Sequence, residues 1–204
     1  MSPLIPIQDL SRATAAERAD AARNRARVME AAARLFDEQG VENVSMDAIA
    51  EAACVGKGTL YRRFGDRAGL ALALLDERER RLQDGVLRGP PPLGPGAPPG
   101  ERLVAFLEAL ADHLDAHLEL FTCAQTAAAG ARYRGVYDAY HAHVAMLLRA
   151  ARPDVDADHM AHSVLAALSA DLFRHLRRDR GIEVERIKGG LRELVRALTA
   201  PGPA

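Results

Sequence analysis

Residues 89–100 read Gly-Pro-Pro-Pro-Leu-Gly-Pro-Gly-Ala-Pro-Pro-Gly, ten glycines or prolines in twelve positions. Proline lacks a backbone donor and glycine loses the most entropy on ordering, so this stretch neither propagates a helix nor pairs as a central strand. It predicts a loop or linker, with shorter ordered elements before it and a longer run after it. At 204 residues the chain can hold one sizeable core or a small module joined to a larger one.

Apolar residues on both sides of this break recur at helical spacing. Residues 1–20 mix prolines with small and charged residues and are expected to form a flexible N-terminal arm. From residue 21, Val28, Ala32, Leu35 and Phe36 follow i, i+4, i+7, i+8, and Gly40 stands where a left-handed cap closes a helix, which predicts a first helix over 21–39. Ser45 is a good N-cap and Asp47 suits the positive end of the helix dipole. Met46, Ile49, Ala50 and Ala53 then mark a short second helix. Gly56 and Gly58 interrupt the pattern before Leu60 and Phe64, the narrow apolar edge of a third helix over 57–64. Asp66 caps a fourth helix reaching about Leu87, with Leu70, Leu74 and Leu75 facing inward and the charged run 76–81 expected to be mostly solvated.

Beyond the loop, Leu103, Phe106, Leu107, Leu110 and Leu114 form one stripe, and Val136, Tyr140, Val144 and Leu147 another. Pro153 precedes a final pair over 156–178 and 183–199, with stripes such as Val164, Leu168, Leu172 and Ile187, Leu191, Leu194, Leu198. No run of β-branched residues with alternating polarity competes with them. The expected class is all-α, about nine helices: an N-terminal three-helix domain over 21–66, and a larger C-terminal helical domain over 67–204 that contains the 89–100 loop.

The apolar stretches, such as 70–75, fall far short of the roughly 20 residues that span a membrane. The first ten residues carry no cationic lead followed by an apolar segment, so a cytoplasmic location is expected. Cys54 and Cys123 are too few for a disulfide framework. A net charge of -1 is uninformative about nucleic acid, since residues 1–65 hold nine basic and nine acidic side chains. Local clustering matters more, and it occurs at Arg23, Arg25 and Arg27, then at Lys57, Arg62, Arg63 and Arg67.

Two short helices joined by a glycine-containing turn, with basic and polar side chains on the outer face of the second, are the elements of a helix-turn-helix. Packing Leu60 and Phe64 against Ile49 and the first helix turns Thr59, Tyr61, Arg62 and Arg63 outward. Arginine forks bind guanine edges or phosphates, threonine can touch a thymine methyl, and a tyrosine hydroxyl reaches phosphate.

Leu35-Phe36, Gly40, Val44-Ser45, Ile49-Ala50, Lys57-Gly58-Thr59-Leu60-Tyr61 and Phe64, in this order, resemble the DNA-binding region of TetR-family regulators over about residues 22–75. The resemblance implies phosphate contacts from Ser45 and Tyr61. Lys57, Thr59, Arg62 and Arg63 would share base and backbone contacts, and Arg67 would clamp a further phosphate. Arg23, Arg25 and Arg27 could add backbone contacts or be solvated surface charges. The sequence departs from the family pattern at the turn, where Cys54 occupies a position commonly filled by glycine and Gly56 one where serine often caps the third helix. A left-handed backbone at Cys54 costs about 1 kcal/mol or more. Its side chain reads as a small buried hydrophobe, with a thiol sensor beside the DNA surface as the alternative.

The resemblance further implies a homodimer through the last two long helices, a palindromic double-stranded DNA operator, repression by the apo dimer, and release by a small-molecule effector with the fourth helix as transmitter. Candidate effector contacts are the polar or aromatic residues among the later helices: His113, His117, Phe121, Cys123, Gln125, Tyr137, Tyr140 and His141. His113 and His117, one turn apart, could share a metal with donors among His141, His143, His159 and His162, yet no cysteine or carboxylate completes a recognisable ligand pattern, so no metal or cofactor is expected. No phosphate loop or nucleophile elbow is present, and no enzymatic activity is expected. Alternatives are a ligand-independent activator or architectural DNA binder, and a helical interaction module or enzyme retaining the head.

Overall fold

A computed structural model describes residues 7–124 and 131–200, with side-chain environments over 18–124 and 135–200. The regular elements among the described residues are all helical, and the chain divides into two compact units that part between Leu74 and Leu75. That division falls beyond the expected 66/67 boundary, the first two turns of the fourth helix counting with the N-terminal unit.

The N-terminal unit consists of α1 (Ile7–Gln39), a 3₁₀ turn (Val41–Asn43), α2 (Met46–Ala52), α3 (Lys57–Phe64) and the start of α4 (Arg67–Arg88). α1 is longer than expected. The segment read as an arm is helical from Ile7, and residues 1–6 lie outside the described residues. Alanine, arginine and glutamate, all strong helix formers, dominate residues 13–27, and Pro6 is the last proline before them. Val28, Ala32, Leu35 and Phe36 of α1 are buried with Val41, Val44, Met46, Ile49, Ala50 and Leu60, so the helical stripe read from the sequence is the core of this unit. Full burial of a side chain such as Ile49 or Leu60 contributes about 2–3 kcal/mol.

In the C-terminal unit the rest of α4 is joined by α5 (Pro99–Ala116), α6 (Leu118–Ala124), α7 (Ala131–Ala151), α8 (Ala157–Ala166), α9 (Ala170–Arg174) with a π turn (His175–Asp179), and α10 (Val184–Thr199). α5 is central, packing against α7 and α10, and α7 packs against α8. Leu103, Phe106, Leu107, Val144, Leu148, Val164, Phe173 and Val195 form the fully buried centre. The Pro/Gly stretch is an ordered loop here: Gly94 N donates to Pro90 O at 3.0 Å, Leu93 packs on the core, and Pro99 starts α5 where its missing N–H costs nothing.

Two sequence expectations are corrected in this unit, and one helix, α6, appears that the sequence reading did not assign. The stretch 156–178 is two helices, because Ser169 takes extended backbone as the N-cap of α9 and Asp171 occupies its first turn. α6 separates from α5 at His117, which leaves helical geometry at φ -129°. The run 76–81 is not uniformly solvated, since Glu79 is only 7% exposed. Its carboxylate is held by the Tyr140 hydroxyl and by Gln83 Nε2, the latter at 2.9 Å, and these bonds offset part of the cost of burying it.

Candidate nucleic-acid interface

The reading head is built by α2, a tight turn and α3. Ser45 holds extended backbone before α2 and its Oγ accepts from Ala48 N at 3.1 Å, so this side chain caps the helix while remaining exposed. α2 ends in a Schellman arrangement: Val55 N donates to Ala50 O and Cys54 N to Glu51 O, both at 3.0 Å. This geometry places Cys54 at φ 51°, a left-handed conformation that no other non-glycine residue among the described ones adopts. The strain of about 1–2 kcal/mol is the one anticipated from the missing glycine. The reading of Cys54 as a buried hydrophobe is corrected, for this cap position leaves its side chain exposed.

Gly56 caps α3 through its backbone alone, its carbonyl accepting from Thr59 N at 2.9 Å and Leu60 N at 3.2 Å. Gly65 ends α3 at φ 77°, and Asp66 Oδ1 then accepts from Gly69 N at 2.8 Å to start α4. α4 begins so close to the end of α3 that a Cβ on Gly69 would stand 2.0 Å from the Phe64 carbonyl oxygen. Glycine at 69 thus fixes the corner that holds α3 in place.

Leu60 is 1% exposed, whereas Thr59, Tyr61, Arg62 and Arg63 are exposed on the opposite side of α3. The basic side chains differ in their attachments. Arg62 makes no ion pair or hydrogen bond among the described residues. Arg63 Nη1 donates to Ala21 O of α1 at 3.2 Å, and Arg67 donates to Glu42 O of the 3₁₀ turn. Lys57 Nζ lies 2.5 Å from Asp47 Oδ2, and that hydrogen bond, with the charge behind it, holds the ammonium above its ordinary pKa. On α1, Arg23 pairs with Asp20 and Arg27 donates to Asn24 Oδ1 at 2.5 Å. Arg25 rests its guanidinium 5.8 Å from the centroid of the Phe64 ring, a cation–π contact between α1 and α3.

A groove of about 460 Å³ runs between α1 and α3, with Asn24, Arg25, Thr59, Arg62 and Arg63 among its lining residues. Asn24 was missed by sequence reasoning. The stripe Ala21, Asn24, Arg25 and Val28 at i, i+3, i+4, i+7 is the signal that points it to this groove.

Residues 28–74 match the family of bacterial regulatory proteins called tetR. The HTH-type transcriptional regulator SAB2452 of Staphylococcus aureus (strain bovine RF122 / ET3-1) is 50% identical over 58 residues, which are 28% of this chain and 31% of that protein. Over residues 28–74 the chain is thus similar to TetR-family regulators. Its match spans less than a third of the curated relative's length. Solved structures carry the likeness beyond the head as a fold. A transcriptional regulator from Saccharomonospora viridis in complex with choline superposes with a TM-score of 0.65 at 22% identity, covering 84% of this chain and 95% of that one. FadR of Thermus thermophilus, described as a TetR-family transcriptional repressor in complex with lauroyl-CoA, does so at 0.56 and 20% identity, covering 88% and 97%.

Within the TetR fold, the C-terminal helices bring part of the nominated effector set together. Glu79, His113 and Tyr140 meet in the interior, His113 Nε2 lying 3.7 Å from Glu79 Oε2. His113 also meets His117 and Phe121 edge-on at 5.1 and 5.6 Å between ring centroids. Phe106 is edge-on to both Tyr140 and His143. Burial pushes His113 down to about 4, helped by His117 and Arg78, and pushes His143 down to about 4, helped by Arg102. Burial and then the Glu79 charge push the Tyr140 hydroxyl up. Nε2 of His113, Nε2 of His143 and Nε of Arg102 are buried with no hydrogen-bond partner among the described residues. Tyr137 and His141 make their ring contacts elsewhere, with His162 of α8. Cys123 is half-buried on α6, and Gln125 lies outside the described residues. Glu79 was not nominated and His143 was named only as a possible metal donor; Glu79 was hidden in a charged run that looked solvent-facing.

Proposed function

We propose that this chain is a transcriptional regulator that reads DNA through α3, acts as a repressor on a palindromic operator as a dimer, and leaves it when a small molecule binds the C-terminal helices. The observation that carries this reading is the division of α3 into a buried Leu60 edge and an exposed Thr59, Tyr61, Arg62, Arg63 face. A helix so divided can enter the major groove with its polar face while its apolar edge remains seated. Arg62, without an internal partner, is the base-reading candidate. Arg63 and Arg67 are already oriented by backbone carbonyls, which suits them to phosphates. Ser45, Lys57 and Tyr61 would flank them, with Arg23, Arg25 and Arg27 of α1 as outer backbone contacts.

Among the described residues no helix is long and apolar enough to cross a membrane, which accords with a DNA-binding role. For assembly we look to α8, α9 and α10, the segments into which the last two expected helices resolve. Leu172 on α9 is 41% exposed, one of few large apolar side chains at the surface. For the effector, the interior cluster of Glu79, His113 and Tyr140 offers a carboxylate, a neutral imidazole and a phenol within one apolar setting. The choline and lauroyl-CoA complexes of the two fold neighbours support a small-molecule effector for this chain.

The test is a mobility shift on DNA upstream of the chain's own coding sequence, repeated with Arg62→Ala/Arg63→Ala. Loss of the shift at low salt, with unchanged helical content, is the expected result, and unchanged affinity overturns the assignment of α3. Light scattering at micromolar concentration is expected to give a dimer that Leu172→Glu dissociates.

A further inference from the structure

We propose a binding site for a first-row divalent transition metal ion, such as Zn(II), between α7 and α8, formed by His141, Asp158 and His162. Each offers a ligand atom, and these atoms all lie within 4.8 Å of one another. A tetrahedral zinc site with bonds of about 2.0–2.1 Å sets its ligand atoms roughly 3.3 Å apart. Closing the difference calls for side-chain adjustment, for which the exposed Asp158 and His162 have room.

The arrangement has features that a pair of surface histidines lacks. The two imidazoles are stacked with centroids 4.0 Å apart, although they come from different helices. His162 Nδ1 is 2.6 Å from the Tyr137 hydroxyl. In the tautomer in which Nδ1 donates to that oxygen, Nε2 keeps its lone pair, which is the form that ligates metal. Tyr137 would thereby orient His162 from behind, as outer-shell partners of metal-bound histidines do. His141 is the more buried member, its side chain 16% exposed and its Nε2 3.7 Å from Asp158 Oδ1; the same nitrogen faces the Asp158 carbonyl oxygen at 3.0 Å, a contact it would exchange for the metal in the tautomer in which Nδ1 carries the proton. Asp158 and His162 stand four apart on α8, so they share a face. Two imidazoles and one carboxylate favour zinc, cobalt or nickel over magnesium or calcium, which prefer oxygen-only sets. Three protein ligands leave a fourth position for water. A bound ion would cross-link α7 to α8, and this holds whether or not the head binds DNA.

The experiment is titration of EDTA-stripped full-length protein with ZnCl₂ by calorimetry, with visible absorption of the CoCl₂ complex as a report on coordination. Expected are one ion per chain, a rise in Tm, and loss of both in His141→Ala/His162→Ala and in Asp158→Ala/His162→Ala; the second pair removes only exposed side chains. Tyr137→Phe is expected to weaken affinity about 10–100-fold, and His175→Ala to leave it unchanged. No uptake by the wild type, or uptake that survives both double substitutions, overturns the site.

Discussion

Asp47 and Lys57 meet at 2.5 Å between Oδ2 and Nζ, so an exposed ion pair ties α2 to the first turn of the reading helix. Exposed pairs of this kind contribute at most about 1 kcal/mol. The carboxylate, however, occupies the ammonium that a DNA phosphate would attract. Asp47→Asn is therefore expected to leave the melting curve nearly in place and to raise DNA affinity roughly two- to fivefold at low salt, because one repelling charge is removed from the interface. Fluorescence anisotropy at two salt concentrations checks it; a lower affinity would contradict the picture.

Arg62 and Arg63 are neighbours in sequence but differ in what holds them. Arg62→Ala is expected to leave the melting curve in place and to cost about 1–3 kcal/mol of sequence discrimination. Arg63→Ala is expected to lose about 0.5–1.5 kcal/mol of stability as well, because its bond to the Ala21 carbonyl disappears. Paired melts and binding curves separate the two.

Gly69 and Gly58 give a second contrast. A Cβ at Gly69 collides with the Phe64 carbonyl, whereas one at Gly58 meets nothing within 4 Å. Gly69→Ala is expected to destabilise by about 2 kcal/mol or more. Gly58→Ala, in the first turn of α3 where the propensity gain is smaller than in a helix interior, is expected to be neutral or to stabilise by up to about 0.5 kcal/mol. Denaturant titration measures both, and equal effects would contradict the close approach of α4 to α3.

Acid should loosen the C-terminal unit before carboxylates are neutralised. His113 and His143 have folded pKa values near 4 against an ordinary 6.5, so the unfolded chain takes up their protons first as pH falls. Their contribution is complete above about pH 6.5 and is lost between there and pH 4, where both states become protonated. For His113 the loss is about 3 kcal/mol, and it is smaller for the more accessible His143. Stability measured at pH 7.5, 5.5 and 4.5 should decline along this course, with a shallower slope in His113→Leu.

The head was legible because its signals are local. The Ser45 cap, the Leu60 edge and the bounds of α3 depend on residues within a turn or two of one another, and they stand where the sequence places them. The left-handed backbone at Cys54 was legible for the same reason. Glu79 was not, because its burial depends on Tyr140, 61 residues away, and no periodicity within α4 encodes that. The break at 167–169 was masked by an apolar stripe, Val164, Leu168 and Leu172, that runs through it; only Ser169 hinted at a new start. The cluster of His141, Asp158 and His162 combines two helices, so neither helix shows it alone.

Cys54→Gly should relieve the strained turn and raise stability by about 1 kcal/mol, while Cys54→Val, β-branched at a left-handed position, should lower it by a similar amount or more. Thermal melts of the two variants test the sign of each.

The exposed thiol at the end of α2 also makes the chain its own instrument. With Cys123 half-buried and no third cysteine in the sequence, a maleimide dye added in limiting amount should react first at Cys54. The label would sit in the turn between α2 and α3, beside the proposed DNA-reading face. Its quenching or depolarisation would report each docking event in real time, without a cysteine having to be engineered.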